Sequence, residues 1–193
     1  MGENGLLVFI TGGVRSGKSS FAEKTALEMS RKTGGNLHYI AAGQASDSEM
    51  KQRIARHQEE RRRSGHRWTT WEKPVTIGML ARNFHQHDIV LLDCLTTWLN
   101  NELFFVKVDW LDENFQKELL AKMLNGINDI RQKAQMLLIV SNEVAYEPLA
   151  NDSALVKIYM RLLGKLHQNI VFSADNVFLL EAGIPVSMKR AED

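Results

Sequence analysis

The chain is short of several features that would widen its possibilities. It has one cysteine, Cys94, which excludes an intrachain disulfide and a cysteine zinc cluster and fits a reducing compartment. Its only three prolines, Pro74, Pro148 and Pro185, stand at the edges of predicted segments, where they break nothing. No apolar run approaches the roughly 20 residues of a membrane-spanning helix. Met1 to Gly5 leads straight into a strand, with no basic region followed by a long apolar stretch, so no signal peptide is expected. Charge of one sign is also lacking. Lys and Arg number 24 against 23 Asp and Glu, and a net charge of +1 gives no global pull toward nucleic acid or membrane. What is present is ordinary for a soluble globular protein: 193 residues, 44% hydrophobic and 24% charged. A single domain over residues 1–193 in the cytoplasm is the expectation.

Apolar strand-like runs alternate with longer amphipathic ones. Strands are expected at Leu6–Thr11, Leu37–Ala41, Arg67–Glu72, Ile89–Cys94, Met136–Ser141, Asn176–Glu181 and Ile184–Met188. Helices are expected at Lys18–Lys32, Ser48–Ser64, Val75–His85, Leu95–Phe104, Leu111–Ala134 and Ser153–Val171. Strands of the fully buried type alternating with helices predict an α/β fold with a mostly parallel sheet covered on both faces. Only Ala182-Gly183 separates the last two strands, so they form an antiparallel hairpin at the end of the sheet.

Between the first strand and the first helix lies Gly12-Gly13-Val14-Arg15-Ser16-Gly17-Lys18-Ser19, which reads G-x-x-x-x-G-K-S. Strand, glycine loop and helix are the context a phosphate-binding loop requires. The glycines let backbone N–H groups turn inward around an anion, and the helix N-terminus adds partial positive charge. Lys18 can reach the β- and γ-phosphates, and the Ser19 hydroxyl can serve Mg²⁺. A second element, Ile89-Val90-Leu91-Leu92-Asp93, ends an apolar run on a carboxylate. Beside such a loop, Asp93 is a candidate to hold the metal, directly or through water. A strand-end Asp also serves as a turn residue or helix cap, and Thr96 and Thr97 are cap candidates too. No N-K-x-D guanine-reading motif is present, which argues against a signalling GTPase.

The segment Met50–Arg61 is basic and carries one histidine. Wound as a helix at about 100° per residue, it places Met50, Arg53, Ile54, His57 and Arg61 on one face. Met50 and Ile54 turn that face toward the protein body. Inward positive charge needs a partner. No carboxylate on the same face supplies one, and a bound phosphate would. The arginines disfavour the imidazolium form of His57, and a neutral imidazole is a nucleophile toward phosphorus. A solvated basic helix with snorkelling arginines is the plain alternative. His38, His66, His85, His87 and His167 read as structural or solvated.

Taken in order, these residues resemble the bifunctional adenosylcobinamide kinase / adenosylcobinamide-phosphate guanylyltransferase family of cobalamin biosynthesis. The carriers are Thr11–Ser19, Tyr39–Gln44, Asp47-x-Glu49-Met50 and Arg53-Ile54-x-x-His57-x-x-x-Arg61. Trp68 with Glu72, Leu92–Thr97, Asn142-Glu143-Val144, and Gly183-Ile184-Pro185 leading to Lys189 continue it. The resemblance implies a RecA-like P-loop fold of three layers and two reactions. In one, a nucleoside triphosphate, ATP or GTP, phosphorylates adenosylcobinamide. In the other, GTP guanylylates a histidine and the GMP passes to adenosylcobinamide phosphate, giving adenosyl-GDP-cobinamide. The family histidine falls on His57. Nucleotide contacts fall on Gly12, Gly13, Val14, Arg15, Ser16, Gly17, Lys18 and Ser19, on Ala41, Ala42 and Gly43, on Gln58, Glu59, Glu60 and Arg61, on Glu72 and on Asp93. Arg53 joins them from the helix geometry above. Mg²⁺ on Ser19 and Asp93 and a homotrimer are also implied.

The chain departs from the family pattern in two places. Ala145-Tyr146-Glu147-Pro148-Leu149 stands where the family has a glycine-rich segment, and Met160-Arg161 stands where it has Arg-Asp. These departures point to altered acceptor recognition or kinase activity. A member retaining one activity, a member with another acceptor and a non-catalytic nucleotide-dependent regulator are the alternatives. A nucleic-acid binder using Arg61-Arg62-Arg63 is disfavoured by the near-zero net charge.

Overall fold

The computed structural model describes residues 4–43, 59, 61–62, 65–105, 110–143 and 153–190. Its order is β1 (Leu6–Gly12), α1 (Lys18–Thr33), β2 (Asn36–Ala41), β3 (Trp68–Glu72), a 3-10 helix (Ile77–Asn83), β4 (Asp88–Asp93) and α2 (Leu95–Phe105). Then come α3 (Glu113–Lys133), β5 (Met136–Val140), α4 (Ala154–Ser173), β6 (Asn176–Glu181) and β7 (Ile184–Lys189).

The seven strands form one sheet in the order β3-β2-β4-β5-β1-β6-β7. Every pairing is parallel except the terminal β6–β7 hairpin. The predicted hairpin is therefore present at the sheet's end. Side chains alternate between the two faces along each strand. Val8, Ile10, Tyr39, Leu91 and Leu138 pack with Ala22 and Ala26 of α1 on one face. Leu7, Phe9, Val90, Leu92 and Ile139 meet Trp98, Met123, Ile127 and Leu166 from α2, α3 and α4 on the other. The expected three-layer P-loop architecture is what the chain forms.

Two helices differ from expectation. Val75–His85 was expected as an α-helix, and the chain instead makes a 3-10 helix over Ile77–Asn83. Its buried Ile77 and Leu80 are spaced by three, the repeat of that tighter helix. It lies directly on α3: a Cβ on Gly78 would stand 2.5 Å from the Gly126 Cα. The α3 helix begins at Glu113 rather than Leu111, because Asp112 caps it by accepting from the Asn114 N–H at 2.9 Å. Of the expected helix at Ser48–Ser64, Glu59, Arg61 and Arg62 are helical, and the rest lies outside the described residues.

Candidate active site

Parallel strands deliver their carboxyl ends to one edge of the sheet, where ligands of open α/β sheets bind. In register, Ala41 stands beside both Glu72 and Asp93. Asp93 stands beside Val140, and Val140 beside Ile10, just ahead of Gly12. Segments far apart in sequence, Gly12–Ser19, Ala41–Gly43, Glu72 and Asp93, are thus brought to one edge. One strand, β5, separates the loop-bearing β1 from the Asp93-bearing β4.

The loop is tightly anchored. Gly12 has φ 152°, and a Cβ there would lie 2.3 Å from the Leu180 carbonyl oxygen, so only glycine fits. The Gly12 carbonyl accepts from the Glu143 N–H at 2.8 Å, and the Ser16 carbonyl from the Gly183 N–H at 3.0 Å. The end of β5 and the β6–β7 turn therefore brace the loop from either side. Lys18 is buried, and its Nζ donates to the Gly13 carbonyl at 2.6 Å and to Ser16 Oγ at 3.4 Å. The first turn of α1 holds no acidic residue, and no side chain caps it, so its N–H groups suit a phosphate.

Asp93 is half-buried at the end of β4, and its Oδ2 accepts from the Tyr39 hydroxyl at 3.1 Å. Burial first, and the Asp93 carboxylate second, push the Tyr39 phenol well above its ordinary value, so it stays a donor. Past β2, Asn101 Nδ2 donates to the Ala42 carbonyl at 2.8 Å and to the Pro74 carbonyl at 3.1 Å, holding the strand end in place. Glu72 is exposed at the end of β3.

Arg61 is buried, and its own helix face offers no carboxylate, which left a bound phosphate as the expected partner. Glu23 of α1 pairs with it, Oε1 lying 3.1 Å from Arg61 Nη1. The carboxylate comes from a separate element packed on the same face of the sheet, where one helix's own spacing could not reveal it. Arg61 Cζ also lies 3.7 Å from the centre of the Tyr39 ring, a cation–π contact. Glu59 is half-buried and pairs with Arg62. Arg53, His57, Gln58 and Glu60 lie outside the described residues.

The model of a family described as "Cobinamide kinase / cobinamide phosphate guanyltransferase" matches residues 8–188. The chain belongs to this family. It is 36% identical over 183 residues to the bifunctional adenosylcobalamin biosynthesis protein CobP of Pseudomonas aeruginosa, covering 93% of this chain and 95% of that one. It is 28% identical over 190 residues to the bifunctional adenosylcobalamin biosynthesis protein CobU of Escherichia coli, covering 95% of this chain and all of that one (100%). Among solved structures, the flagellar accessory protein FlaH of Methanocaldococcus jannaschii superposes with TM-score 0.52 at 14% identity, over 97% of this chain and 80% of that one. A second solved structure, an ATPase domain, gives TM-score 0.52 at 14% identity, over 97% of this chain and 78% of that one. These two share the fold. Membership of the cobinamide kinase / guanyltransferase family makes the chain a transferase, and its loop makes it one that binds nucleotide.

Within that family frame, the departure at Ala145–Leu149 lies outside the described residues. The second is in view on α4. Arg161 donates to Gln116 of α3, and Gln116 Nε2 donates to the Trp110 carbonyl at 2.9 Å. Arg161 thus ties two helices together.

Three groups at the carboxyl edge escaped the sequence analysis as site components. Tyr39 and Glu23 are two of them, and each left a signal. A tyrosine in an apolar strand requires a partner for its hydroxyl, and a carboxylate between Ala22 and Ala26 on the packed face of α1 requires a cation. The third is a polar cluster after β4. Cys94 Sγ lies 3.0 Å from the hydroxyls of Thr96 and Thr97, Asn142 Nδ2 donates to Thr96 Oγ1 at 3.0 Å, and the Tyr159 hydroxyl donates to the Thr96 carbonyl at 3.1 Å. Burial, with Cys94 adding to it, pushes the Tyr159 phenol up to about 12. Next to this cluster, Ser141 Oγ and His167 Nε2 are 2.8 Å apart. Burial lowers the His167 imidazole below its ordinary value, and the Glu143 carboxylate works against the shift.

Proposed function

We propose that the protein carries out both reactions of its family. A nucleoside triphosphate phosphorylates adenosylcobinamide, and GTP then supplies GMP, through a guanylylated His57, to adenosylcobinamide phosphate. The observation that carries this is the gathering of Gly12–Ser19, Ala41–Gly43, Glu72 and Asp93 at one sheet edge in a chain of this family. In the kinase step the acceptor oxygen bonds to the γ-phosphorus, its proton leaves, and the nucleoside diphosphate departs. Lys18 and the α1 N-terminus meet the developing charge on the phosphate oxygens. In the second reaction an imidazole nitrogen of His57 bonds to the α-phosphorus and pyrophosphate leaves. The cobinamide phosphate oxygen then takes the GMP and frees the ring. Splitting the transfer conserves the bond energy in the phosphoramidate.

Mg²⁺ fits the donors. Ser19 and Asp93 offer hard oxygen ligands, and among the described residues no group of three or more His, Cys, Asp or Glu forms a dedicated cage. Bound there, Mg²⁺ would neutralise charge on the triphosphate oxygens. Arg53, Gln58, Glu59, Glu60, Arg61 and Glu72 complete the nucleotide contacts under this reading. No helix among the described residues is long and apolar enough to cross a membrane. A cytoplasmic homotrimer goes with the proposal.

The test uses Mg²⁺ and GTP labelled on the α-phosphate. The expected result is acid-labile, alkali-stable label on the protein that disappears in His57→Ala. No label on the wild type would overturn the guanylyltransferase half. In a parallel assay Lys18→Ala should lose about 100-fold or more in phosphate transfer to adenosylcobinamide. Label on His57 with no phosphate transfer by the wild type identifies a member that kept one activity. Neither label nor transfer identifies a regulator.

A further inference from the structure

The contacts around Tyr39 run in an unbroken series from α1 to the end of β4. Glu23 pairs with Arg61 at 3.1 Å, Arg61 Cζ lies 3.7 Å from the Tyr39 ring centre, and the Tyr39 hydroxyl donates to Asp93 Oδ2 at 3.1 Å. Trp68 closes the ring from β3, edge-on, with centroids 6.4 Å apart and planes at 81°. Tyr39 is buried and cannot exchange this partner for water. An aspartate at a strand end is otherwise free to turn about its side-chain torsions. A hydrogen bond to one oxygen fixes the plane of the carboxylate and so the direction of the other oxygen. Groups that hold a metal ligand in this way commonly contribute 10- to 100-fold to metal affinity.

We propose that Tyr39 is a positioning residue for Asp93, and that the Arg61–Glu23 pair holds Tyr39 in place. The inference rests on the assignment of the metal to Asp93 above. It gives the phosphate-loop helix, through Glu23, and the basic segment that ends at Arg61 a shared bearing on the metal carboxylate. Arg61 then acts through the Tyr39 ring as well as through its own charge.

The test is Mn²⁺ binding followed by electron paramagnetic resonance, with α,β-methylene-GTP present and no acceptor. The full chain is used, and each variant is checked by thermal unfolding. Tyr39→Phe keeps the ring under Arg61 and removes only the hydroxyl, and it should raise the Mn²⁺ Kd about 10-fold or more. Glu23→Gln, which leaves Tyr39 itself intact, should raise it by a smaller factor. The double variant should match Tyr39→Phe alone, because both changes act through one hydroxyl. Raised Mg²⁺ should restore phosphate transfer in Tyr39→Phe, which a purely structural lesion would not allow. Asp93→Asn separates the two levels of inference. If it weakens Mn²⁺ and Tyr39→Phe does not, the positioning role is overturned. If Asp93→Asn leaves Mn²⁺ unchanged, the metal assignment falls and this inference falls with it.

Discussion

Arg61 and Glu23 form a buried ion pair, Nη1 to Oε1 3.1 Å, that joins the basic segment to the phosphate-loop helix. The side chains are only 5% and 10% exposed, so solvent screens the pair little. Its worth to the fold depends on both charges staying together.

Glu23→Ala should therefore cost about 3 kcal/mol of stability, because it leaves a cation in the interior without this carboxylate. Urea unfolding at neutral pH measures it. Replacing both residues by methionine should recover most of the loss, since two apolar side chains have no charge to desolvate. A double variant as unstable as Glu23→Ala would show that the site needs the charges for another reason.

Adjacent glycines of the loop should respond differently. Gly12→Ala forces a Cβ against the Leu180 carbonyl at 2.3 Å in a backbone conformation that side chains avoid. It should lower stability by about 1–3 kcal/mol and abolish nucleotide binding. A Cβ on Gly13 meets nothing within 4 Å, so Gly13→Ala should stay within about 0.5 kcal/mol of the wild type. Thermal unfolding together with a fluorescent-nucleotide titration separates the two. Equal stability losses would contradict the geometry.

Stability should fall on mild acidification through His167. Burial holds its folded value below the ordinary 6.5, so the unfolded chain takes up the proton first as pH falls. The contribution of the neutral ring is complete above about pH 6.5 and is lost progressively below it. Urea unfolding of the wild type between pH 7.5 and 5.5 should show this slope, and His167→Gln should flatten it. Parallel curves for the two proteins would remove His167 as the cause.

The legible parts of the sequence were those coded by neighbours. The run Leu6–Gly12, the loop that follows and the amphipathic stretch of α1 carry their conformation in local spacing and glycine placement. The hairpin at Glu181–Ile184 and the carboxylate ending β4 were legible for the same reason. The 3-10 helix was not. It packs against α3 with Gly78 close to Gly126, far along the chain, a contact that no local pattern shows. The roles of Tyr39 and Glu23 were hidden similarly, because each has its partner on another element.

The sequence by itself determined that Gly12–Ser19 forms a phosphate-loop pattern between a strand and a helix, and that the strands would lie mostly parallel under helices. Short-range sterics and side-chain periodicity are enough for that. Only the tertiary structure decided that β5 lies between the loop and Asp93, that Glu23 pairs with Arg61, and that the Tyr39 hydroxyl donates to Asp93. Those contacts join residues 38 and 54 positions apart. Hydrogen bonds and ion pairs over such separations depend on which faces the packed sheet brings together, which no local pattern records.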